Sequence, residues 1–259
     1  MSIVRLPTYK FRITVLDCPY ETWSEPFTQK LFAQMVDLKL RGFRTGYADG
    51  VLPVDGSDFV CTHLMVCAET RDELKPLLAY RSISESGARK HAMKFPGLAL
   101  VESAKTPAPD HVQAVRRMVE HSQETGRSLR YCSSYTILPE LREDRELVAQ
   151  LKIYMTGMHA LFHDEYQTAE SLLGGVVRFK TDQYFASWGY ERLALDGQER
   201  NDFERDSLRR ASLRHAPKPV ESSRVAMREG NQGALELAPH RPAAAWSSHG
   251  LVRPLRRGL

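Results

Sequence analysis

Two apolar runs, Phe59–Ala68 (FVCTHLMVCA) and Pro76–Ser84 (PLLAYRSIS), are separated by only seven residues, ETRDELK. Both have the composition of strands. So short a link suits an antiparallel hairpin, and the rest of the chain has to be arranged around that pair. Upstream, Phe11–Leu16 (FRITVL) predicts a first strand ended by Cys18 and Pro19. Glu21–Phe43 carries Phe27, Leu31, Phe32, Met35, Val36, Leu38 and Leu40 at helical spacing, with a short second piece after Gly42. A turn-rich stretch then leads into the hairpin.

Downstream, the pattern predicts a short helix over Gly87–Met93 and a brief strand over Leu98–Glu102. A helix follows over 110–124, with Asp110 as N-cap, Val112, Val115, Met118 and Val119 on one face, and Gly126 just beyond its end. Leu129–Leu138 is a strand, and 143–163 is a long helix with a wide apolar face. Leu172–Arg178, Thr181–Trp188 and Glu191–Leu195 complete the series as strand, short helix and strand. The expected class is α/β (α+β), a mixed and mostly antiparallel twisted sheet flanked by helices.

Charge is distributed unevenly. Residues 207–259 hold ten Arg and Lys against three Asp and Glu, while the preceding 206 residues hold 26 against 29. The basic segment is rich in Pro, Ala, Gly, Ser and Arg and has little apolar periodicity. It reads as a disordered tail after a folded domain spanning 1–206. A slightly acidic body argues against nucleic-acid binding, which needs a concentrated basic face. No run approaches the ~20 apolar residues of a membrane span, and no secretory signal is visible. Cys18, Cys61, Cys67 and Cys132 are scattered, mostly in apolar runs, and read as reduced thiols of a cytoplasmic protein.

The passage Tyr135–Leu147 (YTILPELREDREL) runs from a strand through Pro139 into a helix. A helix start has free backbone N–H groups and partial positive charge, so such a turn can hold phosphate. The passage resembles the acyl-CoA motif of the GNAT superfamily, Val-x-Pro-x-x-Arg-Gly-x-Gly. Ile137, Pro139 and Arg142 match it, whereas Glu143 and Arg145 stand where the glycines would be. A second passage, Gly174–Leu193, resembles the end of GNAT domains. There a helix with an aromatic pair leads to Gly-Phe and a final strand, matched by Tyr184–Phe185 and Gly189–Tyr190. The family's second aromatic is usually a tyrosine that protonates the leaving thiolate. Phe185 takes that place here, and Tyr184 lies about 100° away around a helix.

A third stretch, from Asp55 and Asp58 through Arg81 to Phe95, resembles the acyl-homoserine-lactone synthase and N-acyl amino acid synthase branch. Together the resemblances imply an N-acyltransferase with no permanently bound cofactor. Its donor would be acyl-CoA or acyl-phosphopantetheine on an acyl carrier protein, and its acceptor a small-molecule amine. Ile137, Leu138, Leu141, Arg142, Glu143, Asp144 and Arg145 would hold the donor. In the family, pantetheine hydrogen-bonds to free backbone between two splayed strands, here Tyr131–Leu138 and Leu173–Arg178. The alternative is an inactive GNAT-like fold serving as a binding or regulatory module.

Aminolysis of a thioester needs a deprotonated amine, an attack geometry and stabilisation of the developing oxyanion. Candidate side chains are Glu102, Asp58 and His63 as bases and Tyr184 as acid. Arg81, beside a buried strand, calls for an anionic partner, either Asp58 or a substrate carboxylate. His159 and His163 have i, i+4 spacing, but the zincin order His-Glu-x-x-His is missing, and no metal site is expected. A nucleophile elbow, a Walker A loop and a dinucleotide fingerprint are also missing.

Overall fold

The computed structural model describes residues 10–44, 52–69, 73–104, 109–176, 180–193, 202–203 and 211–217. Eight strands form one sheet: β1 (Lys10–Asp17), β2 (Thr62–Glu69), β3 (Leu74–Ser84), β4 (Ser128–Ile137), β5 (Thr168–Val176), β6 (Glu191–Arg192), β7 (Asp202–Phe203) and β8 (Ala211–Pro217). Their order is β1-β2-β3-β4-β5-β8-β6, with β7 beside β8. All pairs are antiparallel except β4 and β5, which run parallel. This is the mixed, mostly antiparallel sheet expected, and β2 and β3 form the expected hairpin.

The helices are α1 (Pro26–Phe43), α2 (Glu85–Lys90), α3 (Pro96–Glu102), α4 (Pro109–Thr125), α5 (Arg145–Glu165) and α6 (Thr181–Ala186). On β2 and β3, His63 and Arg81 meet the α1 side, where Phe32 and Lys39 lie. Tyr80, next to Arg81 and so on the opposite face, meets His159 of α5. Coverage on both faces explains why β2 is buried from Thr62 to Ala68 without alternation.

α1 begins with Pro26 at its first turn, where a missing N–H costs nothing. Its buried residues Leu31, Met35, Leu38, Lys39 and Gly42 form one stripe. Gly42 lets α1 touch β4, since a Cβ there would lie 1.9 Å from Thr136 Oγ1.

Three expectations change. Leu98–Glu102 lies in helix α3 rather than a strand: Pro96 starts it, and Gly97, Leu100 and Val101 are buried at i, i+3, i+4 spacing. Asp110 sits inside the first turn of α4 rather than capping it, while Gly126, with φ +68°, does follow its end. The sheet also continues past 206, because β8 pairs with β5 from Glu170↔Pro217 to Val176↔Ala211. The short strand (ASLRHAP) was hidden in a basic segment with little apolar periodicity, and it is the pairing with β5 that reveals it. The expected tail from 218 onward, and the ends of the strands expected to reach Arg178 and Leu195, lie outside the described residues.

A chain ended at Asp206 loses β8 and is expected to melt well below the full-length protein or to become insoluble. One ended at Lys218 is expected to melt within a few degrees of it. Circular dichroism melts of the two truncations check this.

Candidate active site

β4 and β5 share rungs only from Ser128↔Thr168 to Cys132↔Leu173. Beyond that, Ser133, Thr136 and Ile137 of β4 pair with β3, and Gly174–Val176 of β5 pair with β8. Among the described residues, the facing edges of the two strands therefore part into a gap lined by backbone N–H and C=O groups. The cause is local. Ala79↔Thr136 and Arg81↔Ser133 are consecutive anchor pairs, leaving Tyr80 alone opposite both Ser134 and Tyr135. This is a β-bulge, with Ser134 at φ +58°, and a bulge bends its strand. At the closed end, Tyr131 packs on Gly174, where a Cβ would lie 2.3 Å from the tyrosine hydroxyl.

An aromatic layer lies beside the gap. The Tyr135 ring, from β4, meets Tyr184 and Phe185 of α6 at centroid distances of 5.1 and 5.8 Å. Trp188 packs against both α6 rings and donates to Thr156 Oγ1 at 2.8 Å. Tyr184 donates to the Lys152 carbonyl of α5 at 3.0 Å. Burial pushes its phenol up to about 12. The hydroxyl of Tyr184, the candidate acid of the sequence reading, is thus tied to α5. Phe185 is buried and has no hydroxyl.

The segment expected to hold donor phosphate is largely committed to its own fold. Leu141 N–H donates to Leu138 O at 3.0 Å, Arg142 N–H to Pro139 O at 3.1 Å and Asp144 N–H to Leu141 O at 3.0 Å. These amides close tight turns, so the expectation that all the amides from Leu141 to Arg145 receive phosphate is corrected for these three. Asp144 caps α5 by accepting from Leu147 N–H at 2.9 Å. Its carboxylate takes the place an anion would use, and Glu146 adds a further acid to the first turn. The Arg142 guanidinium donates to Gly42 O at 2.7 Å and Ile137 O at 3.3 Å, tying the turn to the end of α1. Leu138 and Leu141 are buried in the core.

Asp58 and Arg81, chosen separately from the sequence, meet at 2.9 Å. Asp58 closes a capping box with Asp55 in the 3-10 turn Gly56–Phe59 and is fully buried. Lys39 reaches it at 2.6 Å with a side chain only 2% exposed. Arg81 also bonds both Asp55 oxygens, at 3.2 and 3.3 Å, and Ser133 Oγ at 3.3 Å. Two cations and two anions thus close on one another. Burial alone would raise Asp58, but Arg81 and then Lys39 outweigh it and hold its carboxyl below the ordinary range. Asp58 in this setting is a structural anion rather than a proton acceptor, and the partner of Arg81 is an internal carboxylate pair.

Glu102 is likewise engaged in ion pairs. It ends α3, pairs with Arg116 at 2.8 Å and with Lys94, and is held below its usual range chiefly by those two cations. His63 is buried against Asp58 O at 2.7 Å and Cys61 Sγ at 3.4 Å. Burial lowers it to about 4. Sequence reasoning missed Lys39 and Tyr135. Lys39 lies four residues after Met35 on the buried stripe of α1, which was a usable signal; nothing local marks Tyr135 as a bulge residue.

Three described groups bring Cys, His or acidic ligand atoms within 4.8 Å: Cys132–His159–His163, Cys18–Glu21–His91 and Asp58–Cys61–His63. In the first, Tyr80 and Tyr190 hydroxyls bracket His159 at 2.8 and 3.0 Å, and Tyr190 donates to Ser171 at 2.8 Å. Cys132 lies 3.7 Å from both His163 Nε2 and Ser171 Oγ. As folded, this is a hydrogen-bonded network under α5, and burial lowers His159 to about 3.

The fold is a mixed, mostly antiparallel sheet flanked by helices, with one parallel pair that parts beyond Cys132↔Leu173. No protein-family model matches the chain, and no curated protein sequence does. Among solved structures it is similar to FeeM, an N-acyl amino acid synthase from uncultured soil microbes, at 14% identity and TM-score 0.45, over 82% of this chain and 94% of that one. It is similar to the AHL synthase LasI at 12% identity and TM-score 0.43, over 80% and 90%. A third is the Drosophila melanogaster polyamine N acetyltransferase, at 11% identity and TM-score 0.42, over 80% and 100%. No helix among the described residues is long and apolar enough to cross a membrane.

Two predictions follow from the buried charges. Asp58→Asn leaves Lys39 buried beside Arg81 without its carboxylate and is expected to cost about 3 kcal/mol or more in urea unfolding. The second concerns pH. His63 and His159 titrate near 4 and 3 when folded and near 6.5 when unfolded. Above about 6.5 neither state is charged and stability is full; below it the unfolded chain takes up protons that the native state refuses. Each histidine is expected to remove roughly 2 kcal/mol between pH 6.5 and 5. Urea midpoints at pH 7.5 and 5 should fall accordingly; equal midpoints would exclude it.

Proposed function

We propose that this chain is an N-acyltransferase, moving an acyl group from a pantetheine thioester to a small amine. The observation that carries the reading is the parting of β4 and β5 beyond Cys132↔Leu173. Exposed strand edges seek partners, and a pantetheine arm is an extended chain with two amides of the same donor and acceptor chemistry. Laid in the gap, it leaves its thioester toward the closed end, where Tyr131 packs on Gly174. Backbone N–H groups of the parted edge then serve a thioester oxyanion without reorganisation. Asp58, His63 and Glu102 are each engaged elsewhere, so an amine already neutral, or one that loses its proton to water, suits the site best.

The donor we favour is acyl-phosphopantetheine on an acyl carrier protein. The capped and acidic start of α5 suits one phosphate better than the pyrophosphate of CoA. The chemistry belongs to a reduced, cytoplasmic setting. The second reading, a binding module without turnover, is favoured by Phe185 and by the committed turn amides.

Thermal shifts with CoA, acyl-CoA of several lengths and an acyl carrier donor test the gap. Release of free thiol in the presence of an amine panel tests transfer. Stabilisation by acyl donors with amine-dependent thiol release is the expected result, and Glu143→Gly should improve acyl-CoA binding more than carrier binding. Binding without turnover selects the second reading. No shift with any donor removes the acyl-transfer reading and leaves the binding or regulatory module.

A further inference from the structure

We infer that Cys18, Glu21 and His91 form a zinc site that ties the link between β1 and α1 to the end of α2. The inference is independent of the acyl-transfer reading. β1 ends at Asp17 and the chain turns at once, with Glu21 N–H donating to Cys18 O at 2.9 Å. That turn brings a thiol and a carboxylate together. His91 follows α2, where its N–H donates to Gly87 O and Ala88 O, and the Tyr20 ring meets its imidazole edge-on at a centroid distance of 5.9 Å. Two further bonds, Cys18 N–H to Cys61 O at 3.1 Å and Tyr20 N–H to Phe59 O at 2.7 Å, hold the turn to the segment that follows Asp58. Backbone bonds therefore place all three side chains before any ion arrives.

The distances fit the ion. Cys18 Sγ and His91 Nε2 stand 3.7 Å apart, and a Glu21 carboxylate oxygen lies within 4.8 Å of both. Zinc bonds of about 2.3 Å to sulfur and about 2.0 Å to nitrogen, at a tetrahedral angle, set those two atoms about 3.6 Å apart. The Glu21 side chain is about half exposed, so its carboxylate is able to close the remaining distance. One thiolate, one imidazole and one carboxylate suit zinc, whereas calcium and magnesium take oxygen ligands. Three protein ligands leave one position for water. Cys18 and His91 are part-exposed, so an ion reaches the site from solvent.

Charge separates this group from the other two. A thiolate and a carboxylate together neutralise a divalent ion. At Asp58–Cys61–His63 the cations Lys39 and Arg81 already answer the carboxylate, and His63 Nε2 is taken by Asp58 O. At Cys132–His159–His163 both His159 nitrogens are held by Tyr80 and Tyr190, and the charge of Arg130 already acts on His163. Beside Cys18 the local cation is Lys90, whose ammonium pairs with Glu21. Both of those side chains are half or more exposed, so the pair is weak and a divalent ion displaces it.

Full-length, untagged protein, stripped with a chelator and kept reduced, is titrated with cobalt(II) and zinc. Cobalt should give a thiolate charge-transfer band and the intense visible bands of tetrahedral coordination, saturating at a single ion per chain, and zinc should bleach them. Zinc should also raise the melting temperature, because it binds the folded chain. Cys18→Ser should abolish the charge-transfer band. By competition with a chromophoric chelator, His91→Gln and Glu21→Gln should each weaken zinc by more than the roughly hundredfold that loss of an outer-shell partner costs. Lys90→Met removes the competing cation and should tighten zinc severalfold. Metal-free melts of the variants should match metal-free wild type; if Cys18→Ser does not fold, His91→Gln, at a part-exposed position, decides alone. Absence of the cobalt bands in wild type, a charge-transfer band that survives Cys18→Ser, or unchanged zinc affinity in His91→Gln would overturn the assignment.

Discussion

β4 has a hydrogen-bonding strand on each side only as far as Cys132. From there to Ile137 it leans on β3 alone, because the extra residue at Ser134–Tyr135 turns it away from β5. The gap, the aromatic ring set beside it and the turn that leads into α5 all depend on this one irregularity. A flat continuation of the parallel pair would have closed the gap and left Tyr135 no route to α6. β5 can part from β4 because β8 takes up its other edge over Gly174–Val176. On parting, each strand gives up the other and keeps the ladder on its outer edge, β4 with β3 and β5 with β8.

Polar groups on the two faces of the sheet do different work. On the α1 face, Lys39, Asp58, Arg81 and Asp55 join α1, the 3-10 turn, β3 and, through Ser133, β4. Such a cluster is costly to bury and still costlier to break, so it fixes how these elements sit against one another more than it adds stability. Ser133 is the residue just before the bulge, which places the cluster's outermost contact at the root of the gap. On the α5 face, hydroxyls, imidazoles and a thiol stay neutral and satisfy one another. Arg130 is buried there against Ser82, Thr62 and the rings of Phe162 and Tyr166.

The resemblance at 137–145 shows how a motif can be present while its usual use is not. Arg142 is present, but its guanidinium closes the end of α1. The amides around it fold back on Leu138, Pro139 and Leu141. With glycines at 143 and 145 the backbone would have had other conformations open to it; with Glu143 and Arg145 it keeps to right-handed turns capped by Asp144.

The sequence by itself determined the elements whose period is local: the β2–β3 hairpin, the amphipathic stripes of α1 and α5, and the strand–Pro139–helix passage. It also marked Arg81 as a cation in need of an anionic partner, with Asp58 as one of two candidates. Tertiary structure decided the rest. Whether Leu98–Glu102 became strand or helix depended on packing of Gly97 against Tyr131 and Leu172. β8 depended on an edge of β5 far away in the chain. The bulge arose from how β3 and β4 register across some fifty residues, as in Arg81↔Ser133, and no local pattern encodes a register. Lys39, Tyr135 and the commitments of Glu102 and Tyr184 are likewise facts about partners. A partner from a distant segment is set by where the chain returns, which periodicity along one segment does not specify.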